Sequence, residues 1–240
     1  MQKFIIILSL FFFSIGLKGQ LKTNFFLEAE IVSTYVWRGS YLSGASLQPA
    51  MGAEIGGLTL FFNGSSEFSG YNYREINFTI EYSIRNFTFG FNDYWGADDY
   101  ITDYFDFRET SLHQLEAFAA YKMPVIDLNI TWNTFIAGDD KYFDKNSNEK
   151  RAFSTYVEAE YEFTYAALDF NLFAGASLWK SDVKYTAIQK EAPQKFAVVN
   201  VGFDIQKKFE INKKFSLIFF RRLIANPANK DMFVVCGIGF

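Results

Sequence analysis

Cysteine and histidine are nearly absent from this chain. One cysteine, Cys236, excludes an internal disulfide and a cysteine-built zinc centre. One histidine, His113, excludes any site that needs two. Four prolines and no long Ser/Gly/Pro stretch leave no linker, so the 240 residues read as one large β domain. After the N-terminal segment, charged or amide residues interrupt every apolar run, so no segment reads as a helical span. The net charge of −4 comes without a basic block, which gives no footprint for nucleic acid. What the chain has in excess is aromatic: 30 Phe and 14 Tyr.

The N-terminus reads as an export signal over residues 1–19. Lys3 supplies a basic start, residues 4–16 an apolar run, and Ser14, Gly16 and Gly19 small residues for cleavage. The run is shorter than the roughly 20 residues a helical span takes. No cysteine follows it to carry a lipid. Its removal takes away Lys3 and Lys18 and leaves 20–240 more acidic.

The rest alternates. Residues 75–83 read EINFTIEYS, with Ile76, Phe78, Ile80 and Tyr82 on one face and Glu75, Asn77, Thr79, Glu81 and Ser83 on the other. Twelve such strands are expected, near 25–37, 47–56, 58–67, 74–83, 87–95, 112–121, 125–137, 151–162, 167–178, 195–206, 214–223 and 232–240. Ten and fourteen are the neighbouring counts. Tight connections (Gly56-Gly57, 83–86, 122–124, 163–166, 207–213) alternate with mostly longer polar ones (38–46, 68–73, 96–111, 138–150, 179–194, 224–231). Short turns on one rim and long loops on the other describe an antiparallel outer-membrane β-barrel. A soluble barrel would show the same alternation inside out. Two arguments favour lipid outside. Twelve strands enclose a lumen wide enough to want polar walls. Aromatics also gather at strand ends (Tyr35, Trp37, Tyr82, Tyr94, Trp95, Tyr121, Tyr161), where headgroup girdles sit. An even strand count puts both termini at the short-turn, periplasmic rim.

With the apolar face outward, acids collect inside. Glu28, Glu30, Glu54, Glu81, Glu116, Asp127, Glu158, Glu160, Glu162, Asp169 and Asp204 have lumen parity. Lys122, Lys207, Lys208, Lys213 and Lys214 lie in or beside nearby turns, where they are free to fold inward. Confined carboxylates attract cations, so the expected function is a passive narrow pore for small, cation-favouring solutes. Phe118, Phe135, Tyr156 and Phe173 also face the lumen and are candidates for its constriction. The alternative is a non-conducting structural or surface-binding barrel acting through its long loops.

Catalysis is a weaker reading. Ser111-Leu112-His113 reverses the His-x-Ser order of twelve-stranded outer-membrane phospholipases. Asn133 has lumen parity where His113 has lipid parity, so no triad converges and the chain is not expected to be an enzyme. Gly138, Asp139, Asp140, Asp144, Asn146, Asn148 and Glu149 are oxygen-rich but lack the spacing of a defined calcium loop. No metal and no cofactor is expected. The acidic aromatic loop around Asp98, Asp99, Tyr100, Asp103, Tyr104, Phe105 and Asp106 is a candidate lid over the mouth or a contact to lipopolysaccharide through divalent ions.

The last strand places Val234, Cys236, Ile238 and Phe240 on one face. Ending on an aromatic, it resembles the signal read by the barrel-assembly machinery. Ser33-Thr34-Tyr35-Val36-Trp37-Arg38-Gly39, followed by Leu47-Gln48, resembles the TorF-type porin family of exported Gram-negative proteins. The similarity covers roughly residues 33–49, and Pro49 departs from it. It implies an outer-membrane barrel embedded in lipid and lipopolysaccharide, and little chemistry.

Overall fold

The computed structural model describes residues 22–68, 70, 72–97, 103–108, 111–179, 181–185, 196–213 and 215–240. The export segment, Asp98, Asp99, Tyr100 and Lys214 lie outside the described residues.

The strands in chain order are β1 (Thr23–Val32), β2 (Tyr35–Trp37), β3 (Ser40–Ser43), β4 (Ser46–Ile55), β5 (Leu58–Glu67), β6 (Arg74–Ile84), β7 (Phe87–Ala97) and β8 (His113–Lys122). Then come β9 (Leu128–Ala137), β10 (Lys141–Phe143), β11 (Glu149–Arg151), β12 (Thr155–Tyr165) and β13 (Leu168–Trp179). One helical turn, α1 (Ser181–Lys184), precedes β14 (Ala197–Asn212), β15 (Phe215–Asn226) and β16 (Asp231–Gly239). Twelve of the strands close an antiparallel barrel. The hairpins β2–β3 and β10–β11 stand apart from its wall. Each barrel strand pairs with its sequence neighbour in the wall, and β16 returns to β1 through Glu30↔Gly239, Ile31↔Ile238 and Val32↔Gly237. The seam is short: backbone bonds between Ala29 and Phe240 and from Ser33 N–H to the Cys236 carbonyl flank those three pairs, and they join the two end strands into a closed ring.

Alternation sorts the two faces. On β6, Ile76, Ile80 and Tyr82 are exposed outward, while Asn77 is buried. Phe25, Leu27, Met51, Phe62, Phe89, Phe91, Trp132, Leu172, Phe219 and Val234 extend the same apolar exterior around the barrel. On β16, Val234, Cys236 and Ile238 are exposed, as their shared parity requires. Among the described residues no helix is long and apolar enough to cross a membrane, which says nothing of strands.

Inside, aromatic rings lie along the wall over glycines. A Cβ on Gly52 would overlap Phe26, one on Gly90 Phe118, one on Gly202 Phe173 and one on Gly237 Phe220. Each of these pairs is directly opposite in register. Tyr156 covers Gly175 diagonally in the same way. The missing side chain leaves room for the neighbouring ring to fold flat against the backbone.

Several expected boundaries move. The strand expected over 25–37 stops at Val32, and residues 35–43 turn into the barrel as β2–β3. Tyr35 and Trp37 are therefore not girdle residues, and Tyr94 also points inward, onto Glu116. The expected turn at 207–213 is strand: β14 continues to Asn212 because Ile205, Lys207, Phe209 and Ile211 keep alternating. Lys207 consequently faces outward, above the ring of Phe209. The expected 224–231 loop shrinks because β15 reaches Asn226. β9 begins at Leu128, which leaves Asp127 in the turn instead of on the strand wall.

Candidate functional site

The first hairpin fills the long-loop half of the lumen. Trp37 and Ser40 flank a two-residue turn, Arg38-Gly39, with φ of 48° and 76°. Positive φ at both central residues is the geometry of a type I′ hairpin. Gly39 is needed twice over: its φ favours glycine, and a Cβ there would overlap the Val199 carbonyl oxygen. Buried Asn226 donates its Nδ2–H to the Gly39 carbonyl at 3.1 Å, tying the tip to the end of β15.

Arg38 is the centre of the plug. Its Nη1 and Nη2 donate to the two carboxylate oxygens of Glu116 at 2.6 and 3.0 Å. Nη1 also reaches the Tyr185 hydroxyl at 3.1 Å. The guanidinium lies 4.5 Å from the ring centres of Trp37 and of Tyr156. Glu116 is fully buried and also accepts from Tyr94 Oη at 2.9 Å and Asn92 Nδ2 at 3.3 Å. A planar fork between two ring faces, matched to a carboxylate, is a task lysine performs poorly.

Apolar packing surrounds this ion pair. Phe135, Tyr156, Tyr185, Ala197 and Val199 form a buried cluster, with Trp37 and Tyr94 packed against it. Trp37 stacks on Tyr185 and meets Tyr94 and Phe135 edge-on. A second cluster of Val32, Phe220, Ile224 and Val235 takes Tyr35, Val36 and Phe173 against it. The hairpin thus packs against both clusters, one drawn from β9, β12 and β14 and the other from β1, β15 and β16. Tyr185, just past α1, packs inside the barrel, and Lys184 Nζ donates to Gln114 Oε1 at 2.6 Å. Tyr35 Oη is held by Glu75 at 2.7 Å, as is Tyr73 Oη at 2.7 Å.

The candidate constriction residues divide between these features. Phe135 and Tyr156 belong to the first cluster, Phe173 packs on the second, and Phe118 lies over Gly90. The acids divide too. Glu116 is not a free wall carboxylate; it is the anchor of the plug. Glu158 is held by Tyr156 Oη and by Asn200 Nδ2 at 2.7 Å. Glu30 and Asp204 share Arg222, at 3.8 and 2.7 Å. Glu54 accepts from Asn24 at 3.4 Å, and Glu81 stands on the neighbouring strand pair opposite Thr59. Glu160 accepts from Asn129 and Asn171, and Asp169 from Thr164. Asp127 and Glu162 lie 3.7 and 3.9 Å from Lys122 Nζ, so that lysine does reach the acids. Glu28 is exposed.

Below the hairpin this wall carries two adjoining open cavities. One, of about 230 Å³, is lined by Arg38, Glu158, Glu160, Asn171, Asn200, Asp204 and Arg222. The other, of about 340 Å³, is lined by Asp127, Glu162, Asp169, Asn171 and Gln206. Asn171 belongs to both, so they stack from the short-turn rim up to the plug.

His113 is elsewhere. Its Nδ1 faces the Asp93 carboxylate at 2.8 and 2.9 Å and its Nε2 the Tyr104 carbonyl at 2.7 Å, so neither nitrogen is offered to a serine. Phe107 stacks on its ring and Tyr104 packs on Trp95. Residues 103–108 therefore lie against the outer face of β7 and β8 and do not form a lid over the mouth. In the 138–154 loop, Asp144 caps a turn through Asn146 and Asn148 and pairs with Lys150. Lys150 holds the Asp144 carboxyl well below the usual carboxylate range. Among the described residues no His/Cys/Asp/Glu group is arranged to hold a metal.

Arg38 and Arg222 are lumen cations that sequence reasoning missed as such. Arg222 was signalled by its parity with Phe220 and Ile224. Arg38 was signalled by an Arg-Gly pair between two short apolar runs.

No protein-family model matches this chain, and no curated protein matches it. Twelve solved chains match. One, from a structure described as "Unveiling the Mechanism Behind the in-meso Crystallization of Membrane Proteins", is 8% identical with a TM-score of 0.47, covering 91% of this chain and 83% of that one. Another, described as "Asymmetric conductivity of engineered proteins", is 11% identical with a TM-score of 0.37, covering 87% of this chain and 61% of that one. The fold is carried by the strand pairing itself.

Proposed function

We propose that this protein is an outer-membrane barrel held closed by its own first hairpin, with an acidic vestibule beneath the plug. Both termini then lie on the periplasmic side, as they do in barrels whose short turns face the periplasm. The exterior carries the apolar side chains that such a location needs. Lipid and lipopolysaccharide are its surroundings, and the barrel-assembly machinery reads its last strand through Phe240. The TorF-type resemblance points the same way, since its characteristic residues, Ser33 to Gly39, run into the plug.

The single observation that carries the closed reading is the Arg38–Glu116 pair, buried in the lumen between Trp37 and Tyr156. Breaking such a pair from one side is costly, because it leaves the partner charge buried. The second reading, a passive pore for small cations, is favoured by the carboxylates of the vestibule, which raise the local cation concentration whenever the plug moves aside.

Planar-bilayer recording in a KCl gradient separates the two. The wild-type barrel is expected to stay silent apart from brief openings. A variant with residues 35–43 replaced by a short Gly-Ser link is expected to conduct steadily and prefer cations. Steady wild-type conductance equal to that of the variant would overturn the closed reading. Anion preference in the variant would remove the cation assignment.

A further inference from the structure

The cavity of about 230 Å³ under the plug has an unusual wall. Three of its lining side chains, Asn171, Asn200 and Asp204, each keep a buried Oδ1 that no donor reaches. Asn200 is more than nine-tenths buried, at 8% exposure. Its amide nitrogen is spent on Tyr156 and Glu158, which fixes Oδ1 as the unpaired end. Buried acceptors without donors cost free energy unless something supplies the hydrogens. All three groups are acceptors, so the missing chemistry is donors.

The register sets their spacing. Glu158, Gly175 and Asn200 form one cross-strand row; Glu162, Asn171, Asp204 and Arg222 form another, four residues further along each strand. At about 3.3 Å per residue the two rows stand about 13 Å apart along the strands. Glu160 lies in the row between them. One ammonium cannot serve acceptors so far apart. The basic groups on this wall are already engaged, Arg38 with Glu116 and Arg222 with Asp204 over the ring of Phe220. The adjoining cavity adds Asp127, Glu162 and Asp169, so the acidic character continues toward the short-turn rim.

We infer that this wall is a binding site for an extended solute carrying two or more ammonium groups, a linear polyamine in chemical class. One terminal ammonium takes Asn200 beside Glu158, the other terminal ammonium takes Asn171 and Asp204, the amine between them faces Glu160, and the methylene stem lies along Phe173 and Gly202. This inference rests on the acidic-vestibule reading, but not on whether the barrel conducts.

The test is calorimetric titration of the full-length, detergent-folded protein with spermidine, using ethylamine and Mg²⁺ as comparators. Spermidine is expected to bind one site, at least about tenfold more tightly than ethylamine, with affinity falling as salt rises. Glu160→Gln and Asn171→Leu are expected to weaken it by about tenfold each, the loss of one charge-assisted hydrogen bond. Heat-modified gel mobility verifies that both variants fold. No saturable binding, equal binding of Mg²⁺, or unchanged affinity in both folded variants would overturn the inference. A silent barrel that ignores spermidine defeats this site alone. A wild-type barrel that conducts freely defeats the closed reading and leaves the titration result standing.

Discussion

Arg38→Ala is the sharpest perturbation of the plug. The substitution removes both guanidinium bonds to Glu116 and both ring contacts, while Glu116 stays fully buried. Breaking a buried pair from one side costs about 3–5 kcal/mol. Tyr94 and Asn92 still donate to Glu116 and offset part of that, leaving about 2–3 kcal/mol. Loss of the two cation–π contacts adds about 1 kcal/mol. The docked hairpin is therefore destabilised by roughly 3–4 kcal/mol, which moves the docked-to-undocked ratio by roughly 10²–10³. Open probability in planar bilayers reads this directly. Arg38→Lys is expected to fall between wild type and alanine, since it keeps the charge but loses the fork and the stacking. The double variant Arg38→Ala, Glu116→Ala is expected to cost less than the two singles together, because no lone carboxylate remains. An Arg38→Ala barrel as silent as wild type would refute the assignment of this pair as the closing element.

Gly39→Ala places a Cβ at positive φ and against the Val199 carbonyl, so the hairpin undocks and trypsin cuts after Arg38; wild type resists cleavage there. Gly202→Val overlaps both the Leu223 carbonyl and the Phe173 ring, and is expected to cost about 1–3 kcal/mol, read as a lower denaturant midpoint of the heat-modifiable band. His113→Ala frees residues 103–108 from the outer wall, giving faster amide exchange in that segment and none in β7 or β8. Arg108 holds the Asp106 carboxyl down to about 2. That folded value lies below the usual carboxylate one, so the Asp106–Arg108 contact persists above pH 4 and is lost as pH falls through about 2. Carboxyl ¹³C titration with a midpoint near 4 would contradict it.

Much of the barrel is legible in the sequence because a two-residue period is a strong pattern wherever one face is oil and the other water. β5 matches its expected bounds, and β6, β7 and β13 lie within two residues of theirs. The errors arise where local pattern and tertiary fate diverge. Tyr35-Val36-Trp37 continues an aromatic-rich alternation, yet the chain leaves the wall after Val32. What draws it inward is a carboxylate 78 residues away, which no local window contains. Lys207 and Lys208 look like turn residues, yet the apolar parity of Ile205, Phe209 and Ile211 carries β14 through them. The acids of the vestibule follow from parity alone. Their partners do not, because Arg38 and Arg222 arrive from a different hairpin and a different strand.

The glycines of the inner wall carry a further consequence. Strand number sets the circumference of a barrel, but the free bore depends on how far side chains project from the wall. Gly52, Gly90, Gly202 and Gly237 let bulky rings recline, so each such pair occupies the depth of one backbone layer and one ring. Replacing one of these glycines tips its partner toward the axis, while replacing one of the rings widens the passage. The calibre of this barrel can therefore be tuned one cross-strand pair at a time, without changing its strand count or its outer surface.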